Sequence, residues 1–261
     1  VQVIQSITGV KLLRRSPLKK DAPLFIYLPG MDGTGELLHT QTDSLVKYFD
    51  VVSVGILPDN LGNWETITLQ IIELIKRELE QRKNQSIYLC GESFGGCLAL
   101  KLLTFAPWLL ERVILVNPAS SFNRQPLLNL GIPLTQWLPD FLYRGSTSVL
   151  LPFLASLGRI ENGDRLKLFN AMNSLPLNTV NWRLSLLKDF VVKPVELINL
   201  AQPVLIIASG SDLLLPSINE AKRLLNYLKN GSLEILPDSG HACLLEKEVN
   251  LHKILRNNNF I

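Results

Sequence analysis

A serine with a glycine two residues to either side, Gly91-Glu92-Ser93-Phe94-Gly95, is the strongest chemical signal in this 261-residue chain. It follows a short strand-like run, residues 86–90, and precedes a helical one, residues 96–105. In that context the turn is sharp, and the glycines let strand and helix approach each other. The hydroxyl is then presented at a helix N-terminus, where the dipole favours developing negative charge. A serine hydroxyl is a poor nucleophile without a base. The chain holds three histidines, His39, His241 and His252. His241 ends the run Leu233-Glu-Ile-Leu-Pro-Asp-Ser-Gly-His241, a strand leading into a Gly-His loop. His39 and His252 fall in helical stretches and are expected on helix surfaces. The acid that orients such a base has four candidates: Asp212, Asp238, Asp140 and Glu92. Asp238 is three residues before His241 and reads as a turn residue. Asp140 falls in a segment without strands, and Glu92 should point away from the serine. Asp212 ends a buried strand and its loop, Val204-Leu-Ile-Ile-Ala-Ser-Gly-Ser-Asp212, and keeps the order nucleophile, acid, base.

Acyl chemistry at a serine also needs two N–H donors aimed at the tetrahedral oxygen. Phe94, next after the serine, should supply one. The glycine-rich loop Leu28-Pro-Gly-Met-Asp-Gly-Thr-Gly35, directly after an apolar run, should supply the other through Met31. The plainer alternative is a strand-to-helix turn capped by Thr34. The loop lacks the lysine of a phosphate-binding P-loop.

These residues must be brought together by the elements between them. Apolar runs at 24–28, 51–56, 86–90, 112–116, 203–208 and 233–236 alternate with helical patterns at 65–81, 96–105, 218–228 and 246–255. That alternation predicts a mostly parallel sheet with helices on both faces. With the serine turn it predicts the α/β-hydrolase fold. Residues 1–119 and 201–261 would form the core domain. Residues 120–200 show no strand, carry Trp137, Trp182 and prolines such as Pro133 and Pro139, and read as short helices inserted as a cap. The insertion is either extra core or a roof over an apolar pocket, and long insertions in compact domains are usually functional.

Composition narrows the classes. Hydrophobic residues make up 47% and charged residues 19%, and the net charge of +3 is too weak and scattered to argue for nucleic acid. No apolar run has the length of a membrane span. The start, residues 1–15, lacks the order of a signal peptide. It also begins at Val1 rather than Met, so a processed or excised chain is expected. Cys90, Cys97 and Cys243 form no metal-ligand spacing; their sparse, odd number suggests a reducing compartment. No cofactor or metal is called for.

The elbow and helix Gly91-Glu-Ser-Phe-Gly-Gly-Cys-Leu-Ala-Leu100, the loop ending at Gly35, and Asn117-Pro-Ala-Ser-Ser-Phe122 resemble the esterase/lipase/thioesterase family of plants and cyanobacteria that includes the plastid phytyl ester synthases. The likeness runs from about Pro23 to the end. It implies acyl esters or thioesters as small-molecule donors and phytol or diacylglycerol as acceptors. It also implies a cytoplasmic or plastid-stromal setting, with contact at a lipid surface. The plant proteins continue into an acyltransferase half bearing a His-x4-Asp motif. Here only three residues, not four, separate His39 from Asp43, so transfer would need the triad itself or a separate acyltransferase domain or chain. The readings are therefore a serine hydrolase, an acyltransferase using the same acyl-enzyme, or a silent lipid-binding protein that retains the fold. Epoxide hydrolases and dehalogenases are disfavoured, because they place Asp where Ser93 stands.

Overall fold

The computed structural model describes residues 1–126 and 151–261. Asp140, Pro133, Pro139 and Trp137 lie outside the described residues, as does that stretch of the insertion.

Eight strands form one sheet: β1 (Gln2–Ile7), β2 (Val10–Arg14), β3 (Leu24–Leu28), β4 (Asp50–Ile56), β5 (Ile87–Glu92), β6 (Arg112–Val116), β7 (Val204–Ser209) and β8 (Gly231–Leu236). Their order is β1-β2-β4-β3-β5-β6-β7-β8. From β4 to β8 every pairing is parallel, while β1 and β2 add an antiparallel hairpin at one edge. Each central strand is buried on both faces, so its residues alternate between two cores. Leu24, Ile26 and Leu28 of β3 join one core, and Phe25 and Tyr27 join the other. Helices α1 (His39–Leu45), α2 (Trp64–Leu79) and α3 (Phe94–Phe105) cover the sheet's first half. Leu38 and Leu45 pack on the second core; Ile67, Ile71 and Leu74 of α2 and Leu98 and Leu102 of α3 pack on the first. This is the α/β-hydrolase fold.

Between β6 and β7 the described insertion holds α4 (Asn162–Asn173), α5 (Leu177–Lys188) and α6 (Pro194–Ile198). Its two halves pack differently. Leu186, Leu187, Phe190, Val192 and Leu197 belong to the first core. Ala155, Ile160 and Leu168 form a small separate cluster with Ala242 and Leu245, beside the His241 loop. Helix α7 (Ser217–Leu225) follows β7, and α8 (Leu251–Asn257) ends the chain's helices.

Two expectations differ from the structure. The hairpin β1–β2 has no counterpart in the apolar runs, because Gln5 and Ser6 interrupt the apolar residues of β1, an edge strand with no buried residue, and Lys11 interrupts those of β2. The helix expected over 246–255 is instead a short 3-10 turn, Cys243–Leu245, then α8. Glu246 is drawn into the His241 loop, and Asn250 caps α8 by accepting from the Lys253 N–H at 2.9 Å.

Candidate active site

Ser93 connects β5 to α3 with φ 54° and ψ −113°, a strained conformation for a non-glycine residue. The motif's glycines make it feasible. A Cβ on Gly91 would lie 2.3 Å from the Gly95 carbonyl oxygen, and one on Gly95 would lie 2.1 Å from the Leu28 carbonyl oxygen. Any side chain at either position would push α3 away from β3 and β5. Helix α3 begins at Phe94, so the Phe94 N–H is a first-turn donor with no partner inside the helix.

The C-terminal ends of β5, β7 and β8 bring three side chains together. His241 Nε2 lies 2.8 Å from Ser93 Oγ, and His241 Nδ1 lies 2.7 Å from Asp212 Oδ2. Asp212 also accepts from the N–H groups of Leu214 and Leu215, at 2.9 and 3.0 Å, and from the Ser217 hydroxyl. Burial opposes the charge of Asp212, but His241 and these hydrogen bonds outweigh it and hold the carboxyl below its usual range. Burial likewise opposes protonation of His241; the carboxylates of Asp212 and Glu92 prevail and raise its pKa above the ordinary histidine value. Asp238 is exposed. Glu92 is buried and accepts from the Tyr27 hydroxyl, and burial pushes its pKa up to about 7.

Met31 sits in the loop after β3, next to β5. A Cβ on Gly30 would lie 3.8 Å from the Ser93 Cβ, so this loop runs directly beside the serine. Helix α1 begins only at His39, with Leu38 rather than Thr34 at its N-cap position. Thr34 instead gives its N–H to Asp32 at 2.8 Å.

The other histidines stand elsewhere. His39 Nε2 is 2.7 Å from Asp164 of α4, so this residue joins core to insertion. His252 is not fully exposed: its ring stacks on Tyr48 at 4.2 Å. All three cysteines are buried and free. Among the described residues no group of three His, Cys, Asp or Glu could hold a metal ion. Nor is any helix among them long and apolar enough to cross a membrane. A cavity of about 320 Å³ opens behind the Met31 loop, between Val3, Leu13, Asp32, Leu57 and Leu175. Its lining includes neither Ser93 nor His241.

Sequence reasoning missed two residues that brace the His241 loop. Asn117 (φ 42°) is fully buried and gives its amide to the His241 carbonyl oxygen at 2.7 Å and to Ser209 Oγ at 2.8 Å. Its own oxygen accepts from the Ser209 N–H at 2.8 Å. Glu246 accepts from the Gly240 N–H and the Ser239 hydroxyl, both at 2.8 Å, and from Arg159 Nε at 2.6 Å. Asn117 stood in the family-like motif, but nothing in its spacing revealed its partner. Glu246 could have been suspected only as an acid close after a Gly-His loop.

Fold and site together define an α/β-hydrolase with a serine at its nucleophile turn. Residues 60–248, more than two thirds of the chain, match the family of serine aminopeptidases S33, and the chain belongs to that family. The chloroplastic phytyl ester synthase 1 of Arabidopsis thaliana is 32% identical across 91% of this chain, which spans only 37% of that protein. A putative carbamate hydrolase of Pseudomonas savastanoi pv. phaseolicola, RutD, is 26% identical across 85% of this chain and 88% of its own length. An esterase from Exiguobacterium antarcticum superposes with a TM-score of 0.78 at 15% identity, covering 99% of both chains, which shows the shared fold. The chain is thus an enzyme of the α/β-hydrolase class.

Proposed function

We propose that this chain cleaves carboxylic ester or thioester bonds of fatty acyl substrates through a covalent acyl–Ser93 intermediate. The observation that carries the proposal is the unbroken hydrogen-bonded series Ser93 Oγ, His241 Nε2, His241 Nδ1, Asp212 Oδ2 at the ends of three parallel strands. Ser93 Oγ attacks the acyl carbonyl while His241 Nε2 takes its proton. The negative oxygen of the tetrahedral intermediate is held by the N–H groups of Met31 and Phe94. Its collapse expels the alcohol or thiol, which leaves with the proton from His241. Water then repeats the sequence on the acyl-enzyme, releasing the fatty acid and restoring Ser93. Asp212 keeps the imidazole in the required tautomer and stabilises its charged form.

An apolar acyl pocket is supported by the insertion, residues 120–200, acting as a cap. Its described part grips both sides of Ser93. Ala242 of the base loop gives its N–H to the Leu154 carbonyl at 2.8 Å, and Arg183 of α5 reaches the Met31 loop. The phytyl ester synthase relatives support a second reading, in which an alcohol such as phytol or diacylglycerol replaces water at the acyl-enzyme. Transfer would then use the same three residues, or a separate acyltransferase domain or chain. The chloroplast naming of those relatives also supports a plastid setting over a cytoplasmic one. The test is product analysis by mass spectrometry after incubation with acyl thioesters, galactolipids and phytol. Free fatty acids of medium or long chain, absent with Ser93→Ala, are expected. New phytyl esters instead of free acids would establish transfer. A preference for acetyl donors would overturn the fatty acyl assignment.

A further inference from the structure

Helix α5 presents one face to the core. Thr179, Trp182, Arg183 and Leu186 share that face, at spacings of three, four and seven. Thr179 Oγ1 donates to the Pro58 carbonyl at 2.8 Å and Trp182 Nε1 to the Gly62 carbonyl at 3.2 Å. The Leu186 carbonyl accepts from Trp64 Nε1 at 2.8 Å. Arg183, between them, is 1% exposed. Its Nη1 donates to the Met31 carbonyl oxygen, and its Nη2 to the Ile56 carbonyl oxygen at 3.0 Å. Ile56 ends β4, so the guanidinium ties the Met31 loop to a fixed strand end.

The loop is shaped for this group. Gly33 has φ +66°, and a Cβ there would lie 2.5 Å from Arg183 Nη1 and 2.8 Å from Nη2. The guanidinium occupies the place a side chain would take. Among the described residues no carboxylate lies within ion-pair distance of it. Burial lowers its pKa to about 10, with Asp32 opposing, so it is cationic at neutral pH. Burying a cation without a paired anion is costly. A neutral amide side chain could donate to these carbonyls without that cost. A positive charge and a rigid fork are worth burying where a backbone dipole must be aimed and negative charge is to develop.

We propose that Arg183 is a positioning residue for the oxyanion site: it fixes the Met31 carbonyl and thereby aims the Met31 N–H at the oxygen that becomes negative on Ser93. This rests on the roles proposed above for Ser93 and Met31. The Gly33 N–H donates to the Gly30 carbonyl at 3.1 Å, which closes a turn around Met31. With that turn closed and the Met31 carbonyl held, the peptide carrying the Met31 N–H has little freedom left. Helix α5 of the insertion thus helps build the site.

The test compares Arg183→Met, Arg183→Lys, Gly33→Ala and Ser93→Ala with the wild type. The readouts are kcat and KM on p-nitrophenyl butyrate, inhibition by an alkylboronic acid, which forms an anionic tetrahedral adduct on serine, and thermal melting. Arg183→Met should lower kcat roughly 10- to 100-fold with KM within about twofold, as a misaimed oxyanion donor does. The boronic acid should weaken by the same factor, and Arg183→Lys should recover part of both losses. Gly33→Ala should act in the same direction, because it displaces the guanidinium and also strains the turn around Met31. Wild-type kcat per folded molecule, unchanged boronic acid affinity, or a rise in KM alone would overturn the proposal. If Arg183→Met does not fold, Arg183→Lys, which keeps a charge and a donor but loses the two-pronged grip on Met31 and Ile56, decides by the same measures. A wild type that neither hydrolyses the ester nor binds the boronic acid, like Ser93→Ala, would instead remove the nucleophile assignment, and this proposal with it.

Discussion

His241 must be neutral to take the proton of Ser93. Its pKa is raised by Asp212 and Glu92 against the effect of burial. The kcat/KM profile should therefore rise with pH through a midpoint above the ordinary histidine value of about 6.5. Glu92 contributes only while ionised, and burial places its own titration at about 7. Replacing it by Gln removes a negative charge that favours the imidazolium. The His241 pKa then falls, and the rising limb of Glu92→Gln should move to lower pH. A limb that stays or moves up would show that the Glu92 charge does not reach the imidazole. The acid is tested separately. Asp212→Asn should lower kcat by on the order of 10⁴, since the imidazole loses its tautomer and its counter-charge. Asp238→Asn, on an exposed turn, should stay near wild type. Steady-state rates of the two variants decide; the reverse ranking would exchange the roles.

The elements that carry the site are braced by side chains from distant parts of the chain. Asn117, just after β6, satisfies the Ser209 N–H at the end of β7 and the carbonyl of His241 beyond β8. Asn117→Ala would leave these buried groups unpaired, at a cost on the order of 2–3 kcal/mol. Urea unfolding should show that loss, and kcat should fall in the molecules that remain folded because the base loop is freed. Intact activity at full stability would remove this bracing role. The runs that became β3 to β7 are legible in the sequence because each is largely buried and therefore almost continuously apolar, whereas β8, a partly exposed edge strand, is marked by the run Leu233-Glu-Ile-Leu236 ahead of the Gly-His loop. Ser93, His241 and Asp212 are legible as residues because each ends such a run, and the geometry that unites them is what the strand order supplies. β1 is not legible, since Gln5 and Ser6 break up its apolar residues, and the Gly9 turn is too weak a mark alone. Arg183, Asn117 and Glu246 escape sequence reading for another reason. Arg183 lies 152 residues from Met31 and Asn117 lies 124 from His241, so no local pattern records either contact.

The whole molecule is tied at the end of the sheet opposite the serine. Asp50 begins β4, level in register with Leu24 and hence with Ile87 at the start of β5. It receives Arg14 Nε at 3.1 Å and Nη2 at 3.0 Å from β2, and Arg82 Nη1 at 2.5 Å from beyond α2. Glu78 of α2 completes the cluster, receiving Arg14 at 2.5 Å. Two cations and two anions are thus buried together, joining the edge hairpin to the parallel sheet. Removing one partner leaves an uncompensated buried charge, which costs about 3–5 kcal/mol. Asp50→Asn should lose stability of that order in urea titrations while keeping kcat per folded molecule, because Ser93 lies at the other end of β5. A loss of kcat without loss of stability would contradict that division between a stabilising end and a reacting end. The measurement that bears most directly on the reacting end is covalent labelling by a fluorophosphonate, read by intact mass and peptide mapping. One phosphonyl group on Ser93 in the wild type, and none in Ser93→Ala with the protein still folded, is the result predicted here. Equal labelling of both proteins, or a label mapped to another residue, would contradict it.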